Sequence, residues 1–192
     1  MADGREADTS ASLLLRIRDP HDNAAWATFV GMYSPLVSRY CVRKGFQPAD
    51  ADDVTQEVFA RVARSIGAFD YAPERGRFRG WLGTLTAHAM AEHRAAPHAA
   101  PLLADPPQPD PQWNRDFAEH VLAVAMDRVR GEFEPATWAA FEATWVRHES
   151  AADVAARLGV AIHAVYVNKS RVLKRLEAEV LALAEDVPLA TP

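Results

Sequence analysis

Between Pro97 and Gln112 six of sixteen residues are proline, and this run constrains the fold more than any other feature of the chain. Proline has no backbone N–H to donate, and its ring clashes with the preceding helical turn. No helix can cross such a stretch, which reads as a semi-extended linker over 97–112. On either side apolar residues recur at intervals of three and four, and no segment alternates as a strand does. The expected class is all-α: two small helical domains, 10–96 and 113–183, joined by the Pro-rich linker, with tails at 1–9 and 184–192. The polar tail MADGREADTS is expected to be disordered and is not a signal peptide.

The second half carries the sharper pattern. Ser150 to Leu176 reads as two short helices around a tight turn. Ser150 with Asp153 three residues on is a capping-box pattern. Ala155 is small where a second helix crosses, Gly159 suits a turn that needs positive φ, and Val165 points back into the pair. These offsets are those of a helix-turn-helix. Val165, Val172 and Leu176 would be buried, with His163, Val167, Ser170, Arg171 and Lys174 facing outward. From Arg157 to Arg175 there are five Lys or Arg and no acid, which suits phosphate and the major groove. A helical hairpin with a merely solvated charged face fits the same spacing. Upstream, Trp113, Phe117, Val121 and Val124 form one helix stripe, and Pro135 starts a helix carrying Trp138, Phe141 and Trp145 inward.

In the first half, Leu13 to Ile17 can form a first helix. Asp22 caps a second with the stripe Trp26, Phe29, Val30, Tyr33, Val37 and Tyr40, where Pro35 predicts a kink or restart. Gly45 is a C-cap candidate. Pro48 opens a third helix, PADADDVTQEVFARVARSI, whose early Asp residues complement the helix dipole. Val54, Val58, Val62 and Ile66 are its buried stripe. Gly67 to Arg79 mixes Phe69, Tyr71 and Phe78 with Arg75, Arg77 and Arg79, a composition that suits unpaired bases or a loop with its aromatics in the core. A further helix follows from Gly80 to about His93.

The net charge of −5 argues for weak DNA binding by the free chain and for DNA contact within a larger assembly. One cysteine, Cys41, excludes an internal disulfide and a multi-cysteine zinc site. There is no Gly-rich phosphate loop and no HExxH, and His88 and His93 are poorly spaced as ligands. No metal, cofactor or catalytic residue is expected, and the compartment expected is the cytoplasm.

Three stretches together resemble a known family. Asp50–Arg64, DADDVTQEVFARVAR, resembles the polymerase-binding helix of bacterial sigma factors of the sigma-70 family. Arg77–Leu82, RFRGWL, is similar to the start of that family's next helix, and Ser150–Leu176 to its terminal helix-turn-helix. The order and the gap fit the small two-domain members, the extracytoplasmic-function group. The resemblance implies a region 2-like domain over 10–96 and a region 4-like domain over 113–183. It implies that Asp53, Gln56 and Glu57, with Asp52, dock on the clamp helices of the largest subunit of core RNA polymerase. It implies a −10 face of Phe69, Tyr71, Arg75, Arg77, Arg79, Trp81, Thr84 and His88, with Phe69 and Tyr71 stacking on a flipped base. It implies a −35 face of His163, Tyr166, Val167, Lys169, Ser170, Arg171 and Lys174. The partners implied are core polymerase, promoter DNA and an anti-sigma factor, and no membrane. One departure stands out: Ala87, His88 and Ala89, then Arg94, Ala95 and Ala96, occupy positions where the family carries an Arg-rich run. The expectation is a weaker, more loop-dependent −10 contact. Two other readings stay open: a stand-alone helix-turn-helix regulator, and a sigma-like polymerase-binding protein that opens no promoter.

Overall fold

The structure is a computed structural model that describes residues 10–69, 78–95 and 110–184. The N-terminal tail, loop residues 70–77 with Tyr71, Arg75 and Arg77, Ala96 with linker residues 97–109, and the last eight residues lie outside the described residues. Every regular element described is helical. The chain forms two compact units, one ending at His120 and one beginning at Val121.

The first unit contains α1 (Ser10–Arg16), α2 (Asn23–Arg43), α3 (Pro48–Ser65) and α4 (Phe78–Arg94). Asp22 caps α2, its carboxylate accepting from the Ala25 amide at 2.9 Å. α2 runs unbroken through Pro35, so no restart occurs there. Both Pro35 and Gly31, whose carbonyl the missing N–H would have met, are exposed, so water can take that acceptor. Gly45 adopts φ +91 just past the helix end, as a left-handed stop requires. Phe29, Tyr33 and Val37 of α2 pack with Val54, Val58 and Val62 of α3 and with Phe78 and Leu82 of α4, all buried. Phe29 meets Phe59 and Phe78 edge-on at 5.7 and 5.9 Å, the arrangement that aromatic quadrupoles favour. Cys41 is buried in this unit, and burial pushes its thiol up to about 11, as expected for a small hydrophobe rather than a nucleophile.

Helix α5 (Pro111–Arg130) begins two residues inside the stretch read as linker. Proline is tolerated at a first helical position, and the Asp110 carboxylate accepts from the Gln112 amide at 2.8 Å. The division at His120–Val121 places Trp113 and Phe117 in the first unit, not in a domain beginning at 113. Trp113 is buried edge-on against Tyr40 at 5.0 Å and donates from Nε1 to the Arg79 carbonyl at 2.9 Å. Phe117 stacks on Tyr33 at 6.2 Å. Asp110 accepts from Tyr40 at 2.7 Å and pairs with Lys44 at 2.5 Å, and Asp116 pairs with Arg43 at 2.5 Å. One helical stripe therefore serves two cores, a division that periodicity cannot reveal.

The second unit contains the rest of α5, α6 (Pro135–Phe141), a wide π-type turn over Glu142–Val146, α7 (Ala151–Leu158) and α8 (Ile162–Leu183). Trp138, Phe141 and Trp145 are buried, as their spacing predicts. Ser150 caps α7, its Oγ accepting from the Asp153 amide at 3.1 Å while its hydroxyl donates to the Asp153 carboxylate at 2.7 Å. Gly159 takes φ +66 and hands the chain to α8. Ala155 and Val165 are buried with Val154, Ala140 and Ala143, so the small-residue crossing is where the spacing puts it.

Candidate functional site

The first candidate face lies on α3. Its valine stripe turns inward, which leaves Asp52, Asp53 and Gln56 exposed on the opposite side. Glu57 differs from them. It is half-buried and accepts from Arg61 Nε at 2.8 Å and from Arg64 Nη2 at 2.9 Å. Arg61 also donates to Glu92 of α4, and that guanidinium holds the Glu92 carboxyl below its ordinary range. Glu57 thus offers a partly neutralised carboxylate, anchored in a bridge from α3 to α4, while Asp53 and Gln56 stand clear. The Glu57–Arg61 spacing of four is visible in the sequence, but the link to Glu92 depends on how the helices pack.

The second candidate face surrounds the start of α4. Phe69 and Trp81 lie ring against ring at 4.4 Å and 31°. Arg18 donates to the Phe69 carbonyl at 2.6 Å. Phe78 is buried, so of the loop's described aromatics one belongs to the core and one pairs with Trp81. Arg79, Thr84 and His88 are half-buried. The Thr84 hydroxyl donates back to the Gly80 carbonyl at 3.0 Å, and the residue lines a cavity with Tyr40, Lys44, Ala87 and Trp113. Tyr71, Arg75 and Arg77, assigned to this face, lie outside the described residues.

The third candidate face is on α8. Val165, Val172 and Leu176 are fully buried, and His163, Tyr166, Val167, Ser170, Arg171 and Lys174 are exposed, with Lys169 half-buried. Two of the five basic residues counted in this stretch are engaged within the unit. Arg157 pairs with Glu149 at 2.7 Å. Arg175 makes two 2.7 Å bonds to Glu132 and a 2.9 Å pair with the buried Glu179. Lys169, Arg171 and Lys174 form no ion pair among the described residues. Ile162 and Tyr166 are unusually bare for apolar residues, at 49% and 60% exposure. Ile162 stands next to the turn, where helical periodicity gives no signal of its role. Among the described residues there is no cluster of His, Cys, Asp or Glu arranged to hold a metal, and no helix long and apolar enough to cross a membrane.

Comparison with known proteins matches residues 29–96 to sigma-70 region 2, the segment that holds the first two faces except their N-terminal support. The chain is 30% identical over 122 residues to ECF RNA polymerase sigma factor SigE of Mycolicibacterium smegmatis, covering 58% of this chain and 46% of that protein. It is 37% identical over 70 residues to ECF RNA polymerase sigma factor BldN of Streptomyces coelicolor, covering 36% of this chain and 25% of that protein. The matched parts thus span less than half the length of these curated relatives. The solved structure of an RsbN–BldN complex aligns over 85% of this chain and 96% of that one, at 21% identity and a TM-score of 0.37.

Proposed function

We propose that this chain, which belongs to the extracytoplasmic-function group of the sigma-70 family, is a transcription initiation subunit that binds core RNA polymerase and directs it to promoters. The observation that carries the reading is the exposed Asp52, Asp53 and Gln56 on α3, inside the segment that matches region 2. Two carboxylates and an amide on a rigid helix accept from, and donate to, a basic partner helix. The partner proposed is the clamp of the polymerase largest subunit. Glu57 contributes from behind, through its Arg61 bridge. The aromatic pair Phe69–Trp81 stands at the start of α4, where unpaired bases of the −10 element would stack. α8 would enter the major groove at the −35 element, with His163, Val167, Ser170 and Arg171 nearest base edges or phosphates and Lys169 and Lys174 on the flanks. No step in this role requires catalysis by the chain itself.

The test is co-elution of the purified chain with core RNA polymerase, with Asp53→Lys as the control. Charge reversal at this exposed helix position is expected to leave the fold intact, as circular dichroism would show, and to abolish co-elution. Unchanged affinity would remove α3 as the docking face.

One observation favours a second reading, a protein that occupies polymerase without opening DNA. Arg94, one of the few cations left where the family is Arg-rich, donates to the Lys44 carbonyl at 2.7 Å and lies over the Phe46 ring at 4.4 Å. Part of its guanidinium is thus engaged within the unit, although the residue is exposed. Permanganate footprinting of the holoenzyme on a promoter separates the two: reactive thymines at −10 establish opening.

A further inference from the structure

Resting on α8 as the −35 recognition helix, we propose that this chain reads thymine methyl groups through Tyr166 and Val167, leaving phosphate to Lys169, Arg171 and Lys174. In a helix-turn-helix the first turns of the recognition helix reach base edges, and later residues approach the backbone. Here the outer face of the first two turns is Ile162, His163, Tyr166 and Val167, with the two aliphatics 49% and 39% exposed and the tyrosine 60%. No charged residue occurs on α8 before Lys169. The side chains that pair with guanine are Arg and Lys, and those that pair with adenine are Asn and Gln. None of these four types is among the exposed residues of the first two turns, and Asn168 is half-buried. What remains for an apolar side chain in the major groove is the C5-methyl of thymine.

A face that needed only solvation would not carry Ile, Tyr and Val within six residues. Contiguous exposed apolar groups mark a partner surface. Charge selects duplex DNA as that partner. The next turns of the same helix present the exposed Arg171 and Lys174, with the half-buried Lys169, without ion pairs among the described residues, whereas Arg157 and Arg175 beside them are neutralised by Glu149, Glu132 and Glu179. An apolar tip followed by cations matches a methyl-lined groove floor bordered by phosphates.

The experiment uses holoenzyme assembled from core polymerase and the full chain. A −35 element is first selected from a random duplex library, and each thymine in it is then replaced singly by deoxyuridine, which lacks the methyl. Removing one buried methyl should weaken binding about fourfold at one or two positions. That sensitivity should disappear in Val167→Ala or Tyr166→Ala, variants at exposed positions whose folding is checked by circular dichroism. If a defined −35 element is selected and every thymine replacement is neutral, the methyl readout is overturned while the recognition-helix reading stands. If a replacement matters equally in the wild type and both variants, these two residues are not the readers. If polymerase binds the chain but no −35 element is enriched, both the reading and the inference fall.

Discussion

Gly83 shows how much one missing side chain can hold in place. A Cβ built there would sit 2.6 Å from Nε1 of Trp113 and 2.8 Å from its Cδ1. That ring is buried and bonded to the Arg79 carbonyl, so it has little room to move. Gly83→Ala is expected to destabilise the first unit by about 1–3 kcal/mol, the usual range for overpacking, seen as a lower melting temperature with an early change in tryptophan fluorescence. His120 sets a second condition. Its Nε2 lies 2.6 Å from the Met32 carbonyl, which can only accept, and its Nδ1 lies 3.0 Å from the Arg39 guanidinium, which can only donate. The ring is therefore neutral, with its proton on Nε2. Burial lowers its pKa below 6.5; the Met32 bond opposes that in part, and the Arg39 charge adds a smaller lowering. The unfolded chain takes up this proton more readily, so stability should fall as pH drops below about 6.5. Asp110 does not contribute in that window, because Lys44 first and then Tyr40 hold its carboxyl at about 2. Melting curves from pH 7.5 to 5 should show a decline that His120→Gln flattens, and a decline unchanged in the variant would assign it to other groups.

Among the elements, the α7–α8 pair follows its sequence pattern closely, because its signals are local. A cap, a small residue and a left-handed glycine each act within one turn of the chain. Gly159→Ala keeps every contact but forces an L-residue into φ +66, and should cost about 1 kcal/mol in denaturant unfolding. The loss of helix-turn-helix geometry should weaken −35 binding in parallel. α2 and α5 depart from their patterns, each for a stated reason. Pro35 does not interrupt α2, because the affected carbonyl faces water. α5 begins earlier than the proline count suggests, because Pro111 occupies the one helical position that tolerates it. Its stripe also serves two cores. The Asp110, Asp116 and His120 side chains that fasten its start to Lys44, Arg43 and Arg39 are polar, and polar residues carry no periodic signal of burial.

For the molecule as a whole, the net charge of −5 conceals a division between cations that hold the fold and cations left for a partner. Arg61, Arg128, Arg157 and Arg175 pair with acids of their own unit, while Lys169, Arg171 and Lys174 form no ion pair among the described residues. If the last three meet phosphates, the salt dependence of holoenzyme binding to a −35 duplex should lose about one unit of logarithmic slope in Arg171→Ala. An unchanged slope would place Arg171 away from the backbone. By itself the sequence determined the all-α class, the helix-turn-helix with its buried Val165, Val172 and Leu176, the inward valines of α3 and the exposed Asp53 and Gln56. All of these rest on helical period and turn chemistry, which act over a few residues. Tertiary structure alone decided that Trp113 and Phe117 belong to the first unit, that Glu57 and Glu92 share Arg61, that Phe69 pairs with Trp81, and which basic residues of α8 lack an acid partner among the described residues. Those outcomes join residues tens of positions apart, where packing and charge pairing choose among partners that the local pattern leaves equivalent.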